Sequence, residues 1–438
     1  MSTSKLKYGQ LAPTQLGKQL ISHLSLPLYR NGYALLFSGV TSSGLGLVYW
    51  LLAARFYAPD VVGLNSALIS AIMFLSGIAL LGLNSLLTYF IPRAGSRAGQ
   101  LIGYAYGVSA LAALVAGAVF LGGIDFWAPE LTVIVNSWLM RIAFAGAVLV
   151  MTIFTLQDSV LIGLRQSLWV PVENSLVGVT KVTLLIAMVS IWQHYGVTAA
   201  WLIPALLSLI PVNWNILRRF LPNHRRTLKT PMVGFSLREI RSHMAGNYIG
   251  GLFFLSSTTI LPLIVTQVLG AEANAYFYMP WMITAGLHLI PQTMATSFTV
   301  EATHDGERRA EYFQKVVSQC LRLLLPLVLL VSLGAPYILA FFGAEYAAQG
   351  TTLLRILPWA LLPNVFVAMH LSMARLQNRM RVVMSIQGAV CVLMLTFSYL
   401  FMQWWGIAGV GSAWLVAHII VAVVIYAPKF IRQLKKRK

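Results

Sequence analysis

The sequence predicts an all-α polytopic membrane protein of about 12 transmembrane helices, in two six-helix bundles related by an axis along the membrane normal. Three observations predict it. The 438 residues are 58% hydrophobic and only 10% charged, too few charges to solvate the surface of a soluble domain this large. The apolar runs are of membrane-spanning length, and the alternating ten-residue strands of a closed barrel do not occur. Finally, 26 of the 31 Lys and Arg fall in segments that alternate with turns carrying Asp60, Asp125, Glu130, Glu272 and Glu345. Basic segments next to helix ends stay cytoplasmic, so the alternation requires an even number of spans with both termini cytoplasmic. The formal net charge of +19 is then a matter of topology, and no nucleic acid is expected as a partner.

Residues 1–32 form a polar, basic leader suited to lie along the inner membrane surface. It carries no small-residue cleavage site behind a short apolar core. The first bundle, 33–217, holds spans over 33–54, 61–91, 100–122, 131–156, 168–192 and 197–217. The linker 218–243 contains seven Lys and Arg against one acid, Glu239, and its Ser236-Leu-Arg-Glu239 is a capping box that starts a helix. The second bundle, 244–428, holds spans over 244–269, 273–299, 316–342, 352–373, 382–402 and 410–427, and a basic tail fills 429–438. The acidic turns also carry Phe56, Tyr57, Phe126, Trp127, Tyr276, Tyr346, Trp404 and Trp405, read as an interfacial aromatic belt. Cys320 and Cys391 lie inside apolar runs and read as core packing.

The halves repeat. Gly196-Val197-x-x-Ala200-Trp201-Leu202 recurs as Gly409-Val410-x-x-Ala413-Trp414-Leu415, 213 residues on. Tyr57-Ala-Pro-Asp60 recurs loosely as Leu269-Gly-Ala-Glu272, and the arginines of Leu139-Met-Arg141-Ile and Leu353-Leu-Arg355-Ile are 214 apart. Six spans per copy give both copies one orientation, with substrate sites between them.

Ionisable groups inside spans are costly and mark cavities or paired sites. The candidate cationic cavity is Arg141, Lys181, Arg355 and Arg322; Glu173 and Asp158 are the acids, with Asp158 read as an ion pair at a helix end or loop. Arg141 and Arg355 enter a few turns from the outer side and Lys181 lies near mid-span. A polar stripe at every fourth residue, Thr284, His288, Gln292 and Thr296, with Asn247 on the preceding span, either lines a water-filled path or joins helices by hydrogen bonds. Prolines at 204, 211, 262, 280, 291, 326, 358 and 363 bend the spans. There is no phosphate-binding glycine loop, no metal-ligand spacing and no nucleophile–base set, and the outer loops are too short for a catalytic domain. The chain is not expected to be an enzyme, and no cofactor or metal is expected.

Several stretches carry a resemblance: Arg30-Asn-Gly-Tyr33 through Leu51-Leu-Ala-Ala-Arg55-Phe-Tyr-Ala-Pro-Asp60-Val-Val-Gly63, Gly82-Leu-Asn-Ser-Leu-Leu-Thr-Tyr-Phe-Ile-Pro-Arg93, Gly343-Ala-Glu-Tyr346, and Gly406-Ile-Ala-Gly-Val-Gly-Ser-Ala-Trp414. The chain resembles the oligosaccharide flippase and polysaccharide biosynthesis family of the multidrug/oligosaccharidyl-lipid/polysaccharide exporter superfamily. The resemblance implies a cell inner-membrane flippase that works by alternating access. Its cargo would be a polyprenyl-pyrophosphate-linked oligosaccharide, carried from inner to outer leaflet for cell-surface polysaccharide biosynthesis. Coupling to Na+, H+ or membrane potential is implied too, as are a polysaccharide polymerase and glycosyltransferases as pathway partners. The excess of buried cations over acids suits a pyrophosphate. Two alternatives stand beside this one. A multidrug/cation antiporter of the same superfamily would want cavity acids, and a glycan polymerase or ligase would want a long outer loop.

Overall fold

The computed structural model describes residues 27–227, 237–304 and 308–435. Most of the 1–32 leader, the middle of the 218–243 linker with Ser236 of the capping box, and the last three residues of the tail lie outside them. The described residues run as twelve helical passes. These are α1 (Pro27–Phe56), α2a and α2b (Pro59–Ala79, Leu83–Ala94), α3 (Ala98–Gly122), α4 (Trp138–Gly163), α5 (Trp169–Ile191), and α6a and α6b (Gly196–Asn215, Leu221–Thr227). There follow α7a and α7b (Leu237–Thr259, Leu261–Leu269), α8 (Ala271–His304), α9 (Arg309–Ala340), α10a and α10b (Ala344–Ile356, Leu361–Leu376), α11 (Met380–Trp405) and α12 (Ile407–Lys435). Among the described residues, ten helical stretches are long and apolar enough to cross a membrane. The helices α1 and α8, 30 and 34 residues long, complete the twelve.

The breaks have local causes. Pass two interrupts at Leu81 and Gly82, with φ of 50° and 74°. Pass seven restarts at Leu261-Pro262, with the proline in the first helical turn, where its missing N–H costs no hydrogen bond. Pass ten bends through a 3-10 turn, Leu357–Ala360, around Pro358. Pass six passes through a π turn at Ile216–Phe220.

The fourth pass corrects the sequence reading. A span over 131–156 was expected, but Pro129–Val133 form a 3-10 turn whose Leu131, with Ile134 and Val135, is buried as a cap on the first bundle. The helix starts after Ser137, whose hydroxyl accepts the Met140 N–H at 3.3 Å, and it runs on to Gly163. Two consequences follow for the charged residues. Arg141 falls in the first helical turn, not several turns in, and Asp158 lies within the helix, not in a loop.

The halves have one architecture. In the first, α1 packs on α5, α5 on α6a, α3 on α4 and α2b on α4; in the second, α7a packs on α11, α11 on α12, α9 on α10a and α8 on α10b. Six passes per copy leave both the same way up. The lobes meet chiefly through α2a against α8, which are equivalent elements, with α7 lying on α2a and α1 on α8. An interface between equivalent elements is the signature of a two-fold relation. Its close approach rests on Gly63, where a Cβ would run into the Ala271 carbonyl. Beside it Asn274 Nδ2 donates to Gly63 O at 2.8 Å and Ser66 Oγ at 3.0 Å. Arg55, at the end of α1, donates to Phe341 O and Ala340 O at 2.6 and 3.0 Å, capping the carbonyl end of α9 in the other lobe. Tyr248 OH donates to Ile78 O at 2.6 Å halfway along pass two. The joint thus runs from the end bearing Asp60, Glu272 and Glu345, the acidic end, to mid-depth.

That joint also revises the aromatic belt. Phe56, Phe126, Trp127, Trp404 and Trp405 are exposed, but Tyr57, Tyr276 and Tyr346 are buried in the core between the lobes. Tyr57 OH donates to Leu185 O at 3.1 Å, and Tyr276 lies 5.2 Å from Tyr346, ring to ring. Spacing along the chain does not separate an aromatic facing headgroups from one facing the partner lobe.

Candidate functional site

The second lobe encloses a cavity of about 540 Å³ between α7a, α8, α10b, α11 and α12. Its size is that of a small-molecule site. The α8 stripe supplies His288, Gln292 and Thr296, because residues four apart share one face. Gln292 and His288 are hydrogen-bonded to each other at 3.2 Å. Thr284, a turn further on, is buried outside the lining, its hydroxyl donating to Pro280 O at 2.9 Å. Asn247 of α7a also lies outside the lining. Trp414 and His418 of α12, Asn364 and Arg375 of α10b, and Gln387 of α11 complete the polar and aromatic wall. Arg375 is in the last turn of its helix, at the basic end, and no Asp or Glu is in the lining.

The four predicted cations are not gathered here. Arg141 is exposed near the acidic end of the first lobe, its Nε donating to Val135 O at 3.4 Å. Arg355 is exposed in the last turn of α10a, just before the Pro358 bend. Arg322 is exposed in an apolar surface groove between α9 and α10b, beside Leu321 and Phe366. Lys181 alone is half-buried within its lobe, with Nζ 4.5 Å from the centroid of the Trp201 ring. The 213-residue repeat gives that contact meaning. Trp201 is equivalent to Trp414 and Lys181 to Met394, and both Trp414 and Met394 line the second-lobe cavity. One repeat position therefore bears an ammonium over an indole in the first lobe and a thioether beside an indole in the second.

The first lobe holds a second polar centre. Gln157 donates to Glu173 Oε1 and accepts from Asn213 Nδ2 at 2.5 Å, and Tyr106 OH donates to Asn213 Oδ1 at 3.0 Å. Asn174 Nδ2 lies 3.4 Å from Asp158 Oδ2. Asp158 Oδ1 and Glu173 Oε2 have no hydrogen-bond partner among the described residues, and Glu173 is only 4% exposed. The hairpin explains the pairing. Gln157-Asp158 and Glu173-Asn174 are equidistant from the turn at Arg165, whose φ is 61°, so α4 and α5 bring the two dipeptides opposite each other. That symmetry is visible in the sequence, as is the Asn364, Ser372, Arg375 face of α10b. Both are missed when only isolated charges are scored.

A family model described as polysaccharide biosynthesis protein matches residues 28–298. The chain belongs to the polysaccharide biosynthesis protein family. No protein of curated function matches it by sequence. Solved structures share the fold of this polysaccharide biosynthesis protein at low identity. An inward-facing multidrug resistance MATE transporter of the MOP superfamily is 18% identical, with a TM-score of 0.67 over 95% of this chain and 99% of its own. An outward-facing one is 18% identical, with a TM-score of 0.62 over 92% and 96%. A MOP-superfamily transporter from Pyrococcus furiosus, described as having a binding pocket of reverse polarity, is 16% identical, with a TM-score of 0.60 over 94% and 97%. This polysaccharide biosynthesis protein thus has the fold of those transporters, and its ten long apolar helical stretches among the described residues fit a multi-pass membrane protein.

Proposed function

We propose that the protein is a flippase for a polyprenyl-pyrophosphate-linked oligosaccharide, moving it from inner to outer leaflet by alternating access. The observation that carries the reading is the lining of the second-lobe cavity: neutral amides, hydroxyls and aromatics, with Arg375 at the basic end and no carboxylate. A carrier of organic cations needs acids there; a site for an anionic, polyhydroxylated cargo needs this set. The membership in a polysaccharide biosynthesis family supports the same cargo.

The bundles 33–217 and 244–428 are the moving bodies and 218–243 links them. The basic end is cytoplasmic by the distribution of Lys and Arg. With the lobes joined from the acidic end to mid-depth, cargo enters from the cytoplasmic side, and the polyprenyl tail stays in lipid. Lys181 and Arg375 are the proposed pyrophosphate contacts. Arg141, Arg355 and Arg322, exposed in this state, lie outside the proposed contact set, and their substitution separates topology from binding. Glu173 and Asp158 are the proposed coupling site for Na+ or H+, because two carboxylates at that depth with free oxygens and no basic partner take up a small cation. The localisation is the inner membrane, next to the polymerase and glycosyltransferases of the same pathway.

The test is in cells. Deleting the gene should abolish surface glycan and cause lipid-linked oligosaccharide to accumulate; Arg375→Ala and Lys181→Ala should each lower export roughly 10- to 100-fold, the worth of a hydrogen bond to a charged group. An Arg141→Ala/Arg355→Ala double variant should insert and export. Unchanged surface glycan in the deletion strain refutes the cargo.

A further inference from the structure

We infer that the groove between α9 and α10b binds one anionic phospholipid of the leaflet at the basic end, with its phosphate on Arg322 and an acyl chain along the groove. That leaflet is the cytoplasmic one by the distribution of Lys and Arg. The inference needs the chain to lie in a bilayer and does not depend on the cargo proposed above. The groove measures about 680 Å³, and its walls are apolar, with Leu321 and Leu325 on α9 and Leu362 and Phe366 on α10b. A polar stripe crosses it. Gln314, Ser318 and Arg322 are spaced by four, so they share one face of α9, and all three line the groove. Gln314 and Arg322 are exposed and Ser318 is half-buried. None of the three side chains makes a hydrogen bond or ion pair among the described residues. Lys315, by contrast, is paired with Glu311 at 2.6 Å.

Depth makes the unpaired arginine informative. Arg322 lies seven residues beyond Lys315, about 10 Å further along the helix axis. A guanidinium left alone in hydrocarbon is costly. Helical side chains tilt toward the N-terminus, here the basic end, so Arg322 reaches back to the level of the headgroup phosphates. The fold does not require the stripe. Counted from their first residues, α3 and α9 bury the same positions, Ser109, Ala113 and Gly117 in one and Cys320, Leu324 and Val328 in the other. On that count α3 has Gly103, Gly107 and Leu111 where α9 has Gln314, Ser318 and Arg322. The first lobe thus presents this face to its surroundings without donors. A phosphodiester matches what the second lobe adds. Its two free oxygens accept the forked N–H groups of Arg322, and its ester oxygens accept from Ser318 and Gln314 on the headgroup side. Arg322 is the one charged residue of the lining, and it balances one negative charge. A pyrophosphate would bring more charge than that, and a zwitterionic lipid would bring an ammonium beside the guanidinium.

The experiment is native mass spectrometry of the full chain, released from micelles holding equal amounts of dioleoyl phosphatidylglycerol, dioleoyl phosphatidylcholine and bare polyprenyl pyrophosphate. Wild type should retain one phosphatidylglycerol about fivefold in preference to phosphatidylcholine, the worth of one basic residue at an anionic lipid. Arg322→Gln should lose that preference, and Arg355→Gln, which removes an exposed arginine elsewhere, should keep it. Leu325→Trp fills the groove with the charge in place and should also lose it. Thermal midpoints in phosphatidylcholine alone report folding of each variant. Equal retention of the two phospholipids by wild type, or a preference that survives Arg322→Gln or Leu325→Trp, overturns the site. Retention of polyprenyl pyrophosphate in place of phosphatidylglycerol, lost in Arg322→Gln, also overturns it and gives the groove to the cargo.

Discussion

At the scale of single residues, the most informative side chains are those whose polar atoms are left over. Glu173 has one oxygen fixed by Gln157, and among the described residues the only other side-chain donor near its carboxylate is Ser208. Glu173→Gln keeps a side chain able to accept from Gln157 and removes the site's ability to exchange its charge. We expect this variant to insert and bind cargo normally and to lose the dependence of export on an imposed Na+ or H+ gradient. Gradient-dependent export at wild-type rate would exclude Glu173 from coupling. Gly63 is the opposite case, a residue that matters for lacking atoms. Gly63→Val places an isopropyl group against the Ala271 carbonyl and forces the lobes apart at the acidic end. Spin labels on the exposed Phe126 and Trp404 positions should then show longer interlobe distances than in wild type, and an unchanged distribution would contradict the interface.

At the scale of elements, the helices were legible in the sequence wherever hydropathy alone sets the limits. Passes five and six begin and end within two residues of the expected bounds, before the π turn extends pass six. Pass four was misplaced because the apolar stretch 131–135 reads as membrane and serves as a cap. Pass two was read as unbroken because Leu81 and Gly82 are apolar, and only backbone geometry reveals the left-handed turn there. Gly82→Ala should cost about 1 kcal/mol, the cost of a side chain at positive φ, and lower the thermal midpoint by a few degrees. An unchanged midpoint would mean that the break is not maintained by that residue. The site was legible in part. His288 and Gln292 share a helical face by spacing, whereas the grouping of Asn364, Gln387 and His418 with them depends on three further helices, which no local pattern specifies. Lys181 was singled out as a buried charge, and its indole partner follows from the repeat once Trp201 and Trp414 are aligned.

At the scale of the whole molecule, one six-helix unit used twice gives a two-fold joint between equivalent helices, α2a and α8. Such a joint can close at one end and open at the other without repacking either lobe. Arg55 is one of the ties that cross it at the acidic end, and Arg55→Ala removes two hydrogen bonds to the α9 carbonyl end. The same spin-label pair should report a larger share of the acidic-end-open state. The central claim is that this joint moves a lipid-linked oligosaccharide. It is tested most directly in proteoliposomes containing only this protein and a lipid-linked oligosaccharide whose sugar is trapped by an external lectin. The account predicts that lectin-accessible lipid rises beyond the fraction initially in the outer leaflet, and that Arg375→Ala slows the rise roughly tenfold or more. A wild-type protein that leaves the inner-leaflet pool untouched, with an ion gradient imposed in either direction, would contradict it.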